Sequence, residues 1–227
     1  MTDHHCHLLP QIDDGASDVN DSLEICKFLH ERGFDTVLCT PHYIPHIGIS
    51  LNEFTEQRGS ALRSVLTEAG QSGIMIPALR LGAEVRLEQG ISQISRLDAL
   101  CLEGTNLLLL ELPYTGFQPW IPDEIHNVAA VHGVRPVLAH INRYWKKYSD
   151  AQLEAVITSV EGAVVQLNYE CFGFIPPAIR LRRLERYGCP IIYGTDLHMP
   201  SEFSRVSKNL RRAKSLKIPQ LSIYRGR

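Results

Sequence analysis

Seven short β-rich runs alternate with helical stretches along this chain, and each run ends at a histidine, a carboxylate or an asparagine. That alternation constrains the fold more than any other feature, because parallel strands joined by helices bring all their C-terminal ends to one side. Residues 2–6 lead to His5 and His7, residues 34–40 to Pro41-His42, and residues 79–83 to Glu84. The continuous apolar run 107–110, of the kind buried on both faces, stops at Glu111. Residues 134–139 stop at His140, 163–167 at Asn168, and 190–195 at Asp196, with His198 two residues on. Closed into a barrel, such strands deliver these side chains to a single rim, where β/α barrels build their sites. The expectation is an α/β chain forming one domain over residues 1–227.

The intervening helices carry their own start and stop signals. Val19, Leu23, Cys26 and Leu29 give a helical period over 18–32, with Ser17 or Asp18 as N-cap and Gly33 just past the end. Ser50 with Glu53, and Ser149 with Gln152, form capping boxes for helices running to about residue 70 and to residue 160. Pro122 opens a helix that Gly133 closes, and a basic helix is expected over 177–187, closed by Gly188.

Composition excludes several classes of function. A net charge of −2 with 21% charged residues advertises neither nucleic acid nor a membrane surface as a partner. No apolar run approaches the length of a membrane span and no signal-peptide pattern precedes the histidines, so a soluble, cytoplasmic protein is expected. Six cysteines without a closely spaced pair, several inside apolar runs, read as reduced thiols.

The first sixteen residues are chemical in character, with Asp3-His4-His5-Cys6-His7 followed by Asp13-Asp14-Gly15. On a strand, His5 and His7 leave the same face at period two and converge, while Cys6 points the other way into packing. A single polar residue at a strand end is ordinary loop chemistry; six or seven in succession, all of metal-ligand types, are not. His5, His7, Asp14, His42, Glu84, Glu111, His140, Asp196 and His198 are therefore taken as one metal-ligating constellation. Nine candidates exceed the needs of one ion, so two or three divalent ions with bridging carboxylates are implied.

These motifs, His5-Cys6-His7, Asp14-Gly15, Pro41-His42, Gly82-Ala83-Glu84, Leu110-Glu111, Ala139-His140 and Thr195-Asp196-Leu197-His198, resemble those of the polymerase and histidinol phosphatase (PHP) superfamily. Within it, the opening stretch, Thr40-Pro41-His42-Tyr43 and the segment 138–144 look like the metal-dependent protein-tyrosine phosphatases of bacterial capsule biosynthesis, the CpsB type. The resemblance covers residues 3 to about 200. It implies a distorted (β/α)7 TIM-like barrel and a site of two to three ions, manganese first, with iron, zinc, cobalt or magnesium as alternatives. It further implies hydrolysis of phosphotyrosine on a protein partner, the tail of a bacterial tyrosine autokinase of capsule or exopolysaccharide biosynthesis, and leaves homo-oligomerisation open. His4 and Asn142 depart from the pattern, residues 168–172 are bulkier than its small-residue stretch, and Phe203 stands where an arginine is expected, making Arg205 the nearest substitute.

A mechanism follows from the parts. Ions about 3.5–4 Å apart generate a nucleophile from water and neutralise phosphoryl oxygens, so no protein nucleophile is needed. Arg143, three residues past His140, and Arg205 are the catalytic candidates, since a guanidinium binds phosphate through a planar fork. Cys26 and Arg32 match the spacing of cysteine phosphatases, but they fall within a helix that has no glycine turn to lower a thiol pKa. Tyr114, Phe117 and Trp120 either wall a cleft for an aromatic ring or cover the barrel edge. Arg180, Arg182, Arg183, Arg186, Lys208, Arg211, Arg212 and Lys214 make the last third basic, a solvated face or a dock for an acidic tail. The competing functions are a phosphoesterase for a small monoester such as histidinol phosphate and a non-catalytic module retaining the fold.

Overall fold

The computed structural model describes residues 1–173, 181 and 184–216. Its strands are β1 (Thr2–Cys6), β2 (Thr36–Cys39), β3 (His42–Tyr43), β4 (Ala78–Leu81), β5 (Glu84–Arg86), β6 (Leu107–Glu111), β7 (Arg135–Leu138), β8 (Val164–Asn168) and β9 (Ile191–Gly194). All named pairings are parallel, in the orders β1-β2-β4 and β3-β5-β6-β7-β8-β9. Two of the seven expected strands are each broken in two, and this is why nine segments are found among the described residues. Pro41, which has no N–H to give to a ladder, separates β2 from β3, and Gly82-Ala83 separate β4 from β5. His42 and Glu84 thus open new segments instead of following the ends of old ones, and they pair with each other in register. Backbone bonds carry the ladder across both breaks: Gly82 N–H donates to the Cys39 carbonyl at 2.9 Å and Glu84 N–H to that of Pro41 at 3.0 Å.

The seven staves then close on themselves. Cys6 bridges Leu197 in parallel, His7 N–H donates to the Leu197 carbonyl at 3.0 Å, and Asp196 N–H donates to the His5 carbonyl at 2.8 Å. The arrangement is the parallel α/β barrel that the alternation predicts.

Helices α1 (Val19–Glu31), α2 (Leu51–Ser72), α3 (Ile121–His132), α4 (Asp150–Ile157) and α5 (Phe203–Ser215) accompany the strands. Asp18 is the N-cap of α1, accepting from Asp21 N–H at 3.0 Å, and both capping boxes are present. Helix α2 runs two residues beyond the expected end, to left-handed Gly73, and α4 stops at Ile157, short of the expected residue 160. The basic helix expected over 177–187 lies largely outside the described residues, as do Arg180, Arg182 and Arg183. On α5, Val206, Leu210 and Ala213 are buried while Lys208, Arg211 and Lys214 face solvent, an exposure common to a solvated face and to a dock for an acidic tail. Among the described residues no helix is long and apolar enough to cross a membrane.

Two apolar layers result from the alternation of side chains. Leu38, Leu107, Leu109, Val137, Ala139, Val164 and Ile192 fill the barrel interior together with Leu102. Their neighbours Leu108, Leu110, Leu138 and Val165 point outward into the larger core beneath the helices. The interior parity matters for function. Continuing it along each strand places His5, Glu84, Glu111, Gln166 and Asn168 on the inward face, above an apolar floor.

Candidate metal centre

All nine residues expected to ligate metal are brought to one end of the barrel. Their donor atoms fall into three overlapping groups, each within 4.8 Å: His5, His7, Glu84 and Asp196; His7, Asp14, His42 and His198; and His42, Glu84 and Glu111. His140 joins them through Nε2, 2.8 Å from Glu84 Oε1 and 3.6 Å from Glu111 Oε1. His5, His7 and Glu84 are wholly buried, whereas the Asp14 side chain is 73% exposed and stands 3.6 Å from Nε2 of both His42 and His198.

Neighbouring residues hold the rings in ligating tautomers. His7 Nδ1 faces Asp13 Oδ2 at 2.7 Å, His5 Nδ1 faces Gln166 Oε1 at 3.2 Å, and His198 Nδ1 faces the Asp196 carbonyl at 3.0 Å. A ring whose Nδ1–H donates to an oxygen presents the lone pair of Nε2, and that is the outer-shell arrangement of metal-ligating histidines. Consistently, the Nε2 atoms of His5 and His7 lie 3.0 Å apart and both approach Glu84 Oε2, at 3.0 and 3.3 Å. Burial disfavours a charged ring at both positions, but the carboxylates outweigh it and raise both, Glu84 and Asp196 for His5 and Asp13, Asp196 and Glu84 for His7, so without an ion a proton takes the Nε2 position that a cation would occupy.

The carboxylates carry the same message. Glu84 Oε1, Asp196 Oδ1 and both ring nitrogens of His140 are buried without a well-directed hydrogen bond among the described residues; the 2.8 Å approach of His140 Nε2 to Glu84 Oε1 is an ion-pair contact off the hydrogen-bond direction. Orphaned buried polar atoms are rare in folded proteins, and four on one set of metal-ligand side chains fit divalent ions. Burial alone raises the Glu84 carboxyl, but attraction to His5 and His140 outweighs it and holds the group well below the usual range. Asp196 behaves likewise, with burial outweighed by His5, His7 and Arg143. Burial and the nearby Glu84 push the Glu111 carboxyl up. A donor set of imidazoles and carboxylates suits borderline or hard divalent ions, and the residues present fit them.

Two of the candidate ligands have backbones in the left-handed region, His140 at φ 30° and Asp196 at φ 52°. Non-glycine residues adopt it at a cost of about 1–3 kcal/mol, and such strain concentrates at functional sites. Gly194 explains how β9 approaches β1 so closely: a Cβ there would stand 2.5 Å from His5 Cβ.

Sequence reasoning missed the supporting residues. Asp13, beside the exposed Asp14, is the carboxylate that holds His7, and it also accepts from His42 N–H at 2.8 Å. Gln166 accepts from His140 N–H at 2.6 Å and donates to Asn168 Oδ1 at 2.9 Å, and Asn168 in turn donates to Asp196 Oδ2 at 2.8 Å. The available signal was an amide in the middle of an otherwise apolar strand, because a buried polar group needs partners. Asp3 lies below His5 on the same face and binds Thr195 through N–H at 2.9 Å and Oγ1 at 2.6 Å, tying the two edges of the barrel together.

The two catalytic candidates are already engaged. Arg143 donates to Asp196 Oδ2 and lies 3.7 Å from Glu170 Oε1. Arg205 donates to Glu170 Oε2 at 3.2 Å and to Glu202 Oε1 at 2.6 Å. Tyr114 and Phe117 pack edge-on against Tyr144 and Tyr148, with the Lys147 ammonium 3.0 Å above the Tyr114 ring. Cys6 and Cys26 are buried away from the cluster; burial raises the Cys6 thiol well above its ordinary range and pushes Cys26 up to about 12. The His4 ring, on the outward face of β1, meets the Tyr193 carbonyl at 2.9 Å.

The chain is 31% identical to the tyrosine-protein phosphatase YwqE of Bacillus subtilis over 146 residues, covering 63% of this chain and 55% of that protein. It is 25% identical over 152 residues to a putative tyrosine-protein phosphatase, CapC, of Staphylococcus aureus, covering 63% and 54%. The matches thus span about 55% of the length of these curated relatives. The fold is that of a solved chain from the crystal structures of YwqE and of CpsB from Streptococcus pneumoniae, described as metal-dependent tyrosine phosphatases. Here the TM-score is 0.77 at 21% identity, over 96% of this chain and 87% of that one. A putative histidinol phosphatase of Listeria monocytogenes shares the fold more distantly, with a TM-score of 0.53 at 13% identity over 87% and 95%. With the family model for capsular polysaccharide synthesis proteins matching residues 1–173, the chain belongs to the CpsB/CapC family.

Proposed function

We propose that this chain is a metal-dependent protein-tyrosine phosphatase that uses the nine clustered ligands to bind two or three divalent ions, manganese first among them. The observation that carries the reading is the convergence of buried, hydrogen-bond-deprived carboxylate and imidazole atoms at one end of the barrel. The names of the relatives supply the substrate class, a phosphotyrosine-bearing protein. A tyrosine kinase of capsule biosynthesis, in the cytoplasm, is the partner that fits the family.

When bound, the ions activate water and neutralise phosphoryl charge. The protein's own part is to hold and to shield. Asp13 and Gln166 fix His7 and His5, and Asn168 fixes Asp196. Arg143 stands beside Asp196 with its side chain 33% exposed, open to a phosphoryl oxygen as well as to the carboxylate. A phenolate leaving group, with a pKa of about 10, makes modest demands on a general acid.

The test combines metal analysis with a substrate screen. Purified protein should carry more than one equivalent of divalent metal and should hydrolyse para-nitrophenyl phosphate and a phosphotyrosine peptide faster than histidinol phosphate. Alanine at His7, Glu84 or Asp196 should remove metal and activity together. Full activity after exhaustive chelation, or preference for the small alkyl ester, would overturn the proposal.

A further inference from the structure

Strand β5 carries two inward residues, Glu84 and Arg86, separated by the two-residue period of a strand. Glu84 reaches the centre of the metal cluster, so Arg86 leaves the same face one step closer to the open rim. It pairs in register with Glu111, another candidate ligand. Arg86 is half-buried, and among the described residues no hydrogen bond or close ion pair engages its guanidinium, whose charge acts at longer range on the Glu111 carboxylate. In that it differs from Arg143 and Arg205, both of which are committed to carboxylates.

Arg86 also lines a cleft of about 540 Å³ with an uneven wall. At one end are Asp13, Asp14 and His42 of the metal centre; the rest is chiefly apolar, formed by Ile12, Ile44, Ile47, Ile49, Tyr43 and Phe54. Ile47 and Ile49 are 66% and 39% exposed, a wet apolar surface directly beside a polar catalytic end. A ligand matching this cleft has an anionic head and a flat apolar body. Charge complementarity settles which end faces where, since an uncommitted guanidinium in a half-buried position recruits an oxyanion through a bidentate fork.

We infer that Arg86 binds the phosphoryl group of the substrate at the metal rim while the aromatic ring of that substrate lies against the isoleucine wall of the cleft. This deepens the phosphatase reading and rests on it for the identity of the anion. Arg86 is thereby a substrate-binding residue on the β5 side of the rim, and the isoleucines provide a preference for aryl over small alkyl esters.

The experiment measures inorganic phosphate binding to the metal-loaded protein by calorimetry, next to KM and kcat for para-nitrophenyl phosphate. Arg86→Met should keep its metal content and melting temperature and bind phosphate roughly 10- to 100-fold more weakly, with a matching rise in KM. Arg86→Lys, which keeps a charge without the fork, should fall between the two. Ile47→Asp, at an exposed position that tolerates the change, should raise KM for the aryl ester and leave phosphate binding near the parent value. Unchanged phosphate affinity in Arg86→Met overturns the inference. So does a loss confined to acidic phosphopeptides, which moves Arg86 to a flanking carboxylate. A parent protein that hydrolyses no aryl phosphate, yet binds phosphate through Arg86, refutes the phosphatase reading and leaves the anion site standing.

Discussion

Replacing Gln166 by leucine tests whether the metal ligands are held by the strand beneath them. The amide is wholly buried and serves three partners: His140 N–H at 2.6 Å, His5 Nδ1 at 3.2 Å and Asn168 Oδ1 at 2.9 Å. Leucine fills nearly the same volume, so no large cavity opens and the loss is one of hydrogen bonding. Each buried group left without a partner costs about 1–3 kcal/mol. Asn168 keeps its bonds to Asp196 and Asn142, which softens its share, so about 3 kcal/mol in total is reasonable. For a chain of this size each kcal/mol moves the melting midpoint by about 2–4 °C, giving a fall of about 6–12 °C in metal-free protein. Metal affinity should fall separately, about 10- to 100-fold, because His5 loses the acceptor that fixes its tautomer. Thermal melts after chelation report the first effect, and competition with a graded chelator followed by metal analysis reports the second. A variant with the parent's chelator curve would show that His5 is oriented without Gln166, whatever its melting point.

Three further outcomes are expected. Arg143→Lys keeps charge but loses the planar fork, so kcat/KM on a phosphotyrosine peptide should fall roughly 10- to 100-fold with unchanged metal content; parity with the parent would remove Arg143 from phosphate binding. Cys6→Ser and Cys26→Ser should retain most turnover, and iodoacetamide at pH 8 should leave Cys26 unlabelled until the protein unfolds, because burial pushes its thiol up to about 12; loss of activity in folded Cys26→Ser would contradict this. Gly194→Ala drives a Cβ to 2.5 Å from His5 Cβ and should cost about 1–3 kcal/mol together with metal, whereas Gly70→Ala, facing open space on α2, should be neutral or stabilising by chelator and melting assays alike.

The strand ends were readable because a barrel places chemistry at fixed points of a period-two pattern, so His5, Glu111, His140 and Asp196 announce themselves as polar stops on apolar runs. The capping boxes at Ser50 and Ser149 were readable for a local reason, since each is complete within four residues. Broken staves were less legible. Pro41 reads as the end of one strand and Gly82-Ala83 as the interior of another, yet the strands break at both places and the ladder resumes beyond them, because partners distant in sequence hold it there. Asp13 and Asp14 are indistinguishable in the sequence because neighbours in a loop have no periodicity to separate them; only the fold shows that Asp13 is buried against His7 while Asp14 faces solvent. Arg86 went unremarked for the opposite reason, as a charged residue just past Glu84 looks like ordinary surface until β5 is seen to continue through it.

The seam between β1 and residues 195–198 has a consequence for how the protein acquires its chemistry. Asp3 and Thr195 are 192 residues apart in sequence, and the bonds between them are among those that complete the ring. Such distant closure is entropically the slowest kind of contact to make, and His5 and His7 stand on one lip of it with Asp196 and His198 on the other. A nascent or partly folded chain therefore has no complete set of ligands, however much of its sheet has formed. If the proposed ligands bind ions, uptake reports ring closure, and amide hydrogen exchange at His7 and Asp196, whose N–H groups span the seam, should slow when ions are added while exchange in α2 stays as it was.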